Sequence, residues 1–203
     1  MIVTTWSPQG YEQYGKRFID TYCSPYPLVV YVEDDSDIPG AETRSLFDIP
    51  LCSQFLKRTE KYKPTHYRKN VNKFARKVFA ITDAAMKHSG PMAFIGGDTV
   101  FHRPFEDDFL ENILEGAYLA YLGRDGYHSE TDFIAFDTMH PANTLFMKLF
   151  LAEYTTGAFQ DLKWWCDSDV FDHIRVLLNV PTNDLNVIRD MNHPFVNSIL
   201  GQY

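Results

Sequence analysis

A chain of 203 residues that is 45% hydrophobic and 15% aromatic is long enough for one well-packed domain. Its formal net charge of −8 excludes a generally basic nucleic-acid binder but leaves room for a local basic groove. No apolar run approaches the ~20 residues of a membrane span, and there is no repeat or low-complexity tract.

The opening residues "MIVTTWSPQGYEQYG" lack the basic and apolar regions of a signal peptide. Cys23, Cys52 and Cys166 are far apart and fit no CxxC or zinc spacing, which predicts reduced, buried thiols in a cytoplasmic protein. Met1 to Thr5 predicts a buried strand ending in the loop Ser7-Pro8-Gln9-Gly10. Tyr11 to Tyr22 has helical spacing, with Tyr14, Phe18, Ile19 and Tyr22 on one face. "YPLVVYVEDD" reads as a second buried strand ending in acids, "DSDIPGAE" as a turn-rich link, and Leu46 to Phe55 is ambiguous. "NVNKFARKVFAITDAAMKH" predicts an amphipathic helix with Val71, Phe74, Val78, Ile81 and Ala85 as its stripe, stopped by Gly90-Pro91.

Met92 to Ile95 is the third strand, followed by a short helix over Asp107 to Leu114. "GAYLAYLG" and "TDFIAFD" read as strands joined by the polar loop "RDGYHSE". "HPANTLFMKLFLAEYTTG" and Ser168 to Leu178 read as helices, the first ending at Gly157. A β-α-β-α-β opening implies a single α/β domain with a mostly parallel sheet, and the later mixed pattern implies antiparallel additions.

In such sheets ligands bind beyond the carboxyl ends of the strands. Three predicted ends carry polar groups: Thr4-Thr5-Trp6, Glu33-Asp34-Asp35 and Gly96-Gly97-Asp98-Thr99. Between Lys57 and Lys77 lie nine basic residues opposed only by Glu60, a concentration suited to an anion such as a diphosphate. Lys73, Arg76 and Lys77 stand at helical spacing within it, and Lys77 is the first candidate to leave the solvated face. No P-loop or GxGxxG is present. A lone Asp98 at a strand end suits Mg²⁺ or Mn²⁺, and glycines such as Gly97 let a ligand approach the backbone. Glu130-Thr131-Asp132 stand before a strand, a position from which their side chains would face a cleft. Asp167 or Ser168 is a candidate helix cap, while Trp165 is a candidate acceptor platform and Asp167 or Asp169 a candidate general base. His193 is a candidate metal ligand.

This order of features resembles the GT-A fold of nucleotide-sugar glycosyltransferases. There the strand reads like "LDADTVFLRP", with an Asp-x-Asp motif that binds Mn²⁺ and the donor diphosphate; here it reads "IGGDTVFHRP", with Gly96 in place of the first Asp. "ETDFIAFDTMHP" and "WWCDSDVFDHIR" look most like blocks of small glycosyltransferases encoded by bacteriophages, which would place the protein in host cytoplasm.

The resemblance covers residues 1–203, with a nucleotide-sugar-binding half over 1–105 and an acceptor-side half over 106–203. It implies Thr4, Thr5, Trp6 and Tyr11 near the base, Asp34 near base or ribose, Lys77 near the diphosphate and Asp98 on the metal. Glu130, Asp132, Asp167 and Asp169 would face the acceptor and the reacting sugar carbon. The donor would be a UDP-sugar, and the acceptor a glycan or a hydroxymethylated DNA base. No "HxKG"-like tail precedes Tyr203, so either His193 stands in for the usual late histidine, or the site is depleted, or the sequence stops short of that segment. The alternative is a catalytically depleted GT-A-like protein that binds nucleotide or sugar.

Overall fold

A strand that is apolar on both faces needs cover on both sides. In the computed structural model, which describes residues 1–189, 191 and 199–202, β1 (Ile2–Trp6) has that cover. Val3 points into one apolar layer, and Ile2 and Trp6 point into the other. The same division splits β2 (Leu28–Val32), where Val29 and Tyr31 face the first layer and Val30 and Val32 the second. It also splits β4 (Pro91–Ile95), with Phe94 in the first layer and Ile95 in the second.

The first layer is closed by α4 (Val71–Lys87), α6 (Asn143–Thr156) and α7 (Asp167–Leu178), with α3 (Pro50–Thr59) beside them. The second layer takes α2 (Lys16–Thr21) and α5 (Phe109–Leu114). The α2 helix continues from α1 (Pro8–Gly10) through a π-helical turn, Tyr11–Gly15, and Ser7 caps the run by accepting from the Gly10 amide at 3.1 Å.

Among the described residues the main sheet has the order β3-β2-β1-β4-β7-β6-β8, with β3 at Glu42–Ser45, β6 at Leu119–Leu122, β7 at Glu130–Asp137 and β8 at Thr182–Asp184. Only β7 runs against the others. A small antiparallel pair, β5 (Thr99–Phe101) with β9 (Leu200–Gln202), lies apart. The expected single α/β domain with a mostly parallel sheet is what the chain forms.

Several local expectations need correction. Phe74 is only half-buried, because it turns from the α4 stripe toward the cleft described below; Ala75 is the buried residue at that level. Neither Asp167 nor Ser168 caps α7: the cap position is Cys166, without a side-chain bond. Cys52 and Cys166 are buried, whereas Cys23 is half-exposed.

The α6 helix ends at Gly157 with φ of 90°, a left-handed cap. Gly157→Ala should cost about 1–2 kcal/mol by forcing a side chain into that conformation, read as a shift in urea midpoint.

Candidate functional site

The chain leaves β1 toward β2 on one side and returns to β4 on the other, so the β1/β4 boundary is the place where strand order reverses. Beyond the carboxyl ends of these strands lies a cleft of about 410 Å³. Thr5 and Trp6 reach it from β1, Glu33 from the end of β2, and Gly96, Gly97 and Asp98 from the end of β4. Because β7 runs antiparallel, its first residues, Glu130, Thr131 and Asp132, arrive at the same edge. The first half of α4 adds Lys73, Phe74, Arg76 and Lys77, and the start of α7 adds Asp167 and Ser168. Tyr14, Tyr67, Arg68, Arg124 and His128 complete the walls.

Lys77 is the centre of the electrostatics. Its side chain is 12% exposed, and its Nζ lies 2.8 Å from Asp132 Oδ1 and 2.9 Å from Asp167 Oδ2. It also donates to Thr131 Oγ1 at 3.2 Å, and that hydroxyl donates to Asp167 Oδ2 at 2.5 Å. Burial alone would lower the Lys77 pKa, but the charges of Asp132 and Asp167 outweigh it and hold the ammonium above the ordinary lysine value. Burial likewise pushes Asp132 upward, and the Lys77 charge and hydrogen bond prevail, leaving it below the usual carboxylate range.

Two further cations are paired. Arg76 Nε lies 2.9 Å from Glu33 Oε1, though without hydrogen-bond alignment, and Arg124 Nη1 donates to Glu130 Oε2 at 2.9 Å. Arg124 also donates to the carbonyls of His128 and Ser129, which folds the 124–130 loop onto the cleft. Burial and then the Asp132 charge raise the Glu130 carboxyl above its ordinary value. Lys73 donates to Tyr67 Oη at 2.7 Å, and Arg68 stacks over Trp164 at 5.4 Å.

Asp98 is also pushed upward, by burial and then by Asp132. A carboxyl whose folded pKa exceeds its unfolded pKa destabilises the fold when ionised. Asp98→Asn should therefore raise the melting temperature at neutral pH. That gain should vanish as pH falls below the ordinary aspartate value of about 3.9, which a melting series checks.

Of the residues read from the sequence, Thr5, Trp6, Lys73, Lys77, Gly97, Asp98, Glu130, Asp132 and Asp167 line one cleft. Others do not. Thr4 is fully buried on the opposite face of β1 from Thr5 because side chains alternate along a strand, and its Oγ1 has no partner among the described residues. Asp34 sits in the loop after β2, its Oδ1 accepting from the Ser36 amide, and Glu33 takes the cleft position. Tyr11 packs against Trp6 at 5.7 Å behind the lining. Asp169 lies behind His128, whose Nδ1 is 2.9 Å from Asp169 Oδ1, and it accepts from the Trp164 amide. Trp165 is not a platform on the cleft but packs against Phe159 and Tyr62. Trp6 is 2% exposed and donates from Nε1 to Gly97 O at 2.8 Å, which makes it the floor rather than an open stacking surface. His193 lies outside the described residues. Tyr14, Tyr67, Arg124 and His128 carried no site signal in the sequence, whereas Glu33 belongs to one of the three polar strand ends read there.

For Mn²⁺ or Mg²⁺ the donor chemistry fits. No group of three His, Cys, Asp or Glu side chains able to hold a metal is found among the described residues. These ions need only one or two carboxylates when substrate phosphates and water complete the shell, and strand-end carboxylates in an open cleft supply such hard oxygens.

No family model matches this sequence, and no curated protein matches it. Among solved structures, apo mouse xyloside xylosyltransferase 1 superposes with a TM-score of 0.59 at 9% identity, over 91% of this chain and 84% of that one. The apo WbbM bifunctional glycosyltransferase superposes with a TM-score of 0.54 at 11% identity, over 92% of this chain and 38% of that one. This is a fold that glycosyltransferases use. The cleft lies at the topological switch point of this chain's own sheet, and no helix among the described residues is long and apolar enough to cross a membrane.

Proposed function

We propose that the chain is a glycosyltransferase that moves a sugar from a nucleoside diphosphate sugar, of the UDP-sugar class, to an acceptor hydroxyl. The observation that carries this reading is the mixed lining of the cleft, where the cationic face of α4 meets strand-end carboxylates. A sugar nucleotide makes both demands at once. Its diphosphate needs cations, here Lys73, Arg76, Lys77 and Arg68, and its sugar hydroxyls need acceptors, here Glu130, Asp132 and Asp167. The half-buried rings of Tyr14 and Phe74 give a nucleotide flat apolar cover.

Asp98 is the residue assigned to Mn²⁺ or Mg²⁺. Such an ion, when bound, would neutralise charge on the leaving diphosphate. Lys77 adds a positive charge already held in place by Asp132 and Asp167, so it costs little reorganisation. For proton transfer Glu130 is better placed than Asp167. Its side chain is 20% exposed and ion-paired only to Arg124 among the described residues, with its carboxyl raised above the ordinary value by burial, whereas Asp167 is 3% exposed and committed to Lys77 and Thr131.

Titration of the protein with UDP-, GDP- and ADP-sugars, with and without Mn²⁺, tests the reading through melting temperature and turnover. A raised melting temperature with transfer or slow hydrolysis supports it, because a ligand of the native state stabilises by mass action. No binding at millimolar concentration sinks it. Gly96 favours a second reading, a nucleotide-sugar binding protein without catalysis; binding with no turnover of any sugar nucleotide would establish that one. The acceptor class separates by salt, since DNA binding through the basic run from Lys57 to Lys77 would fall steeply with ionic strength and a glycan's would not.

A further inference from the structure

Gly96 raises a packing question that the β4–β7 pairing answers. The Gly96 amide donates to Asp132 O at 2.8 Å, so the two residues are held opposite each other. A Cβ added at Gly96 would lie 2.9 Å from both Cβ and Cγ of Asp132, and 3.1 Å from its Oδ1. Real Cβ atoms do not approach that closely. The Asp132 side chain therefore occupies the volume that a side chain at position 96 would fill, two residues before Asp98. We propose that Asp132 supplies from β7 the carboxylate that β4 lacks, so that Asp98 and Asp132 together hold one divalent cation against a nucleoside diphosphate. This rests on the sugar-nucleotide reading given above.

Charge balance favours it. Five cationic side chains, Arg68, Lys73, Arg76, Lys77 and Arg124, line the cleft among the described residues. Five carboxylates, Glu33, Asp98, Glu130, Asp132 and Asp167, face them. The lining is thus close to neutral before a diphosphate adds its own negative charge. A divalent cation offsets that charge, and hard oxygen donors select Mg²⁺ or Mn²⁺. Lys77 on Asp132 Oδ1 is compatible with a metal bond, because a carboxylate accepts at about four lone-pair sites. The rival role for Asp132 is as counter-ion to Lys77 alone.

The test measures Mn²⁺ binding to the intact chain from the electron paramagnetic resonance signal of free Mn²⁺, with and without UDP. Wild type, Asp98→Asn, Asp132→Asn and the double variant Gly96→Asp/Asp132→Gly are compared, with folding checked by thermal melts. Asp98→Asn and Asp132→Asn should each weaken Mn²⁺ binding at least about tenfold. The double variant returns a carboxylate to β4 and removes the group it would strike, so it should regain most of the affinity. Should it fail to fold, the near-isosteric Asp132→Asn decides alone. Unchanged Mn²⁺ affinity in Asp132→Asn, with UDP still bound, overturns the proposal and leaves the donor reading standing. Mn²⁺ binding that needs both aspartates while no variant binds UDP supports the cation site and removes the donor reading. A wild-type protein that binds no Mn²⁺ in either condition overturns the proposal.

Discussion

Replacing Lys77 with methionine should lower the unfolding free energy by about 3–5 kcal/mol, the range for stranding one member of a buried ion pair. The stranded partner is Asp167, whose side chain is 4% exposed and which accepts from both Lys77 and Thr131. Asp132 contributes less to the loss, because at 36% side-chain exposure it can recover water. Methionine retains the length of the lysine stem, including its place beside the Phe94 ring, where Nζ now lies 4.8 Å from the centroid. The loss is therefore one of charge rather than of packing.

The pH dependence carries a definite sign. A lysine whose folded pKa is raised contributes stability that is fully present below its unfolded value of about 10.4 and is lost as pH rises through the folded value. The gap between wild type and Lys77→Met should accordingly be flat from neutral pH to about 10 and close above it. Urea midpoints at several pH values measure this, and a gap that widens in alkali would show the charge assignment to be wrong. Loss of UDP binding in the same variant, at a temperature where it stays folded, would tie the ammonium to the ligand as well as to the fold.

The sequence made the central strands legible because β1, β2 and β4 are covered on both faces and so read as continuous apolar runs. The edge strands β3 and β8 escaped for the opposite reason: "ETRS" and "TND" are half-exposed, polar and short, and only pairing with a neighbour makes them strands. In the site, Asp98 and Lys77 announced themselves by local context, one closing an apolar strand and the other sitting on an amphipathic helix. Asp34 was wrong by one position, since which side of the chain turns inward after β2 is set by tertiary packing, and Glu33 takes the place beside Arg76. Arg124 and His128 lie in a polar loop with no periodicity, and what holds them at the cleft is Arg124's bonds across that loop and His128's contact with Asp169 of α7. The relation between Gly96 and Asp132 was out of reach altogether, because it depends on the register of an antiparallel strand inserted between parallel ones.

Gly97→Ala should be the most damaging small change in the cleft itself. A Cβ there would lie 2.1 Å from Trp6 Nε1, 2.5 Å from Trp6 Cδ1 and 3.1 Å from the Thr5 carbonyl. The indole cannot retreat: it is 2% exposed and wedged against Phe18 at 5.3 Å and Tyr11 at 5.7 Å. The backbone at residue 97 must move instead, which breaks the bond from Trp6 Nε1 to Gly97 O. Overpacking of this kind costs about 1–3 kcal/mol, and a buried donor left unsatisfied adds about 1–3 kcal/mol. Because Asp98 follows directly, the shift also displaces the strand-end carboxylate, and a displacement near 1 Å can cost about 100-fold in activity. Trp6→Phe should be milder, since it removes the nitrogen that the methyl would strike. Combined with Gly97→Ala it should then recover part of the stability lost by Gly97→Ala alone, an interaction that a double-mutant cycle on denaturation midpoints measures directly. Strict additivity of the two substitutions would mean that the Trp6 contact is not what requires glycine at position 97.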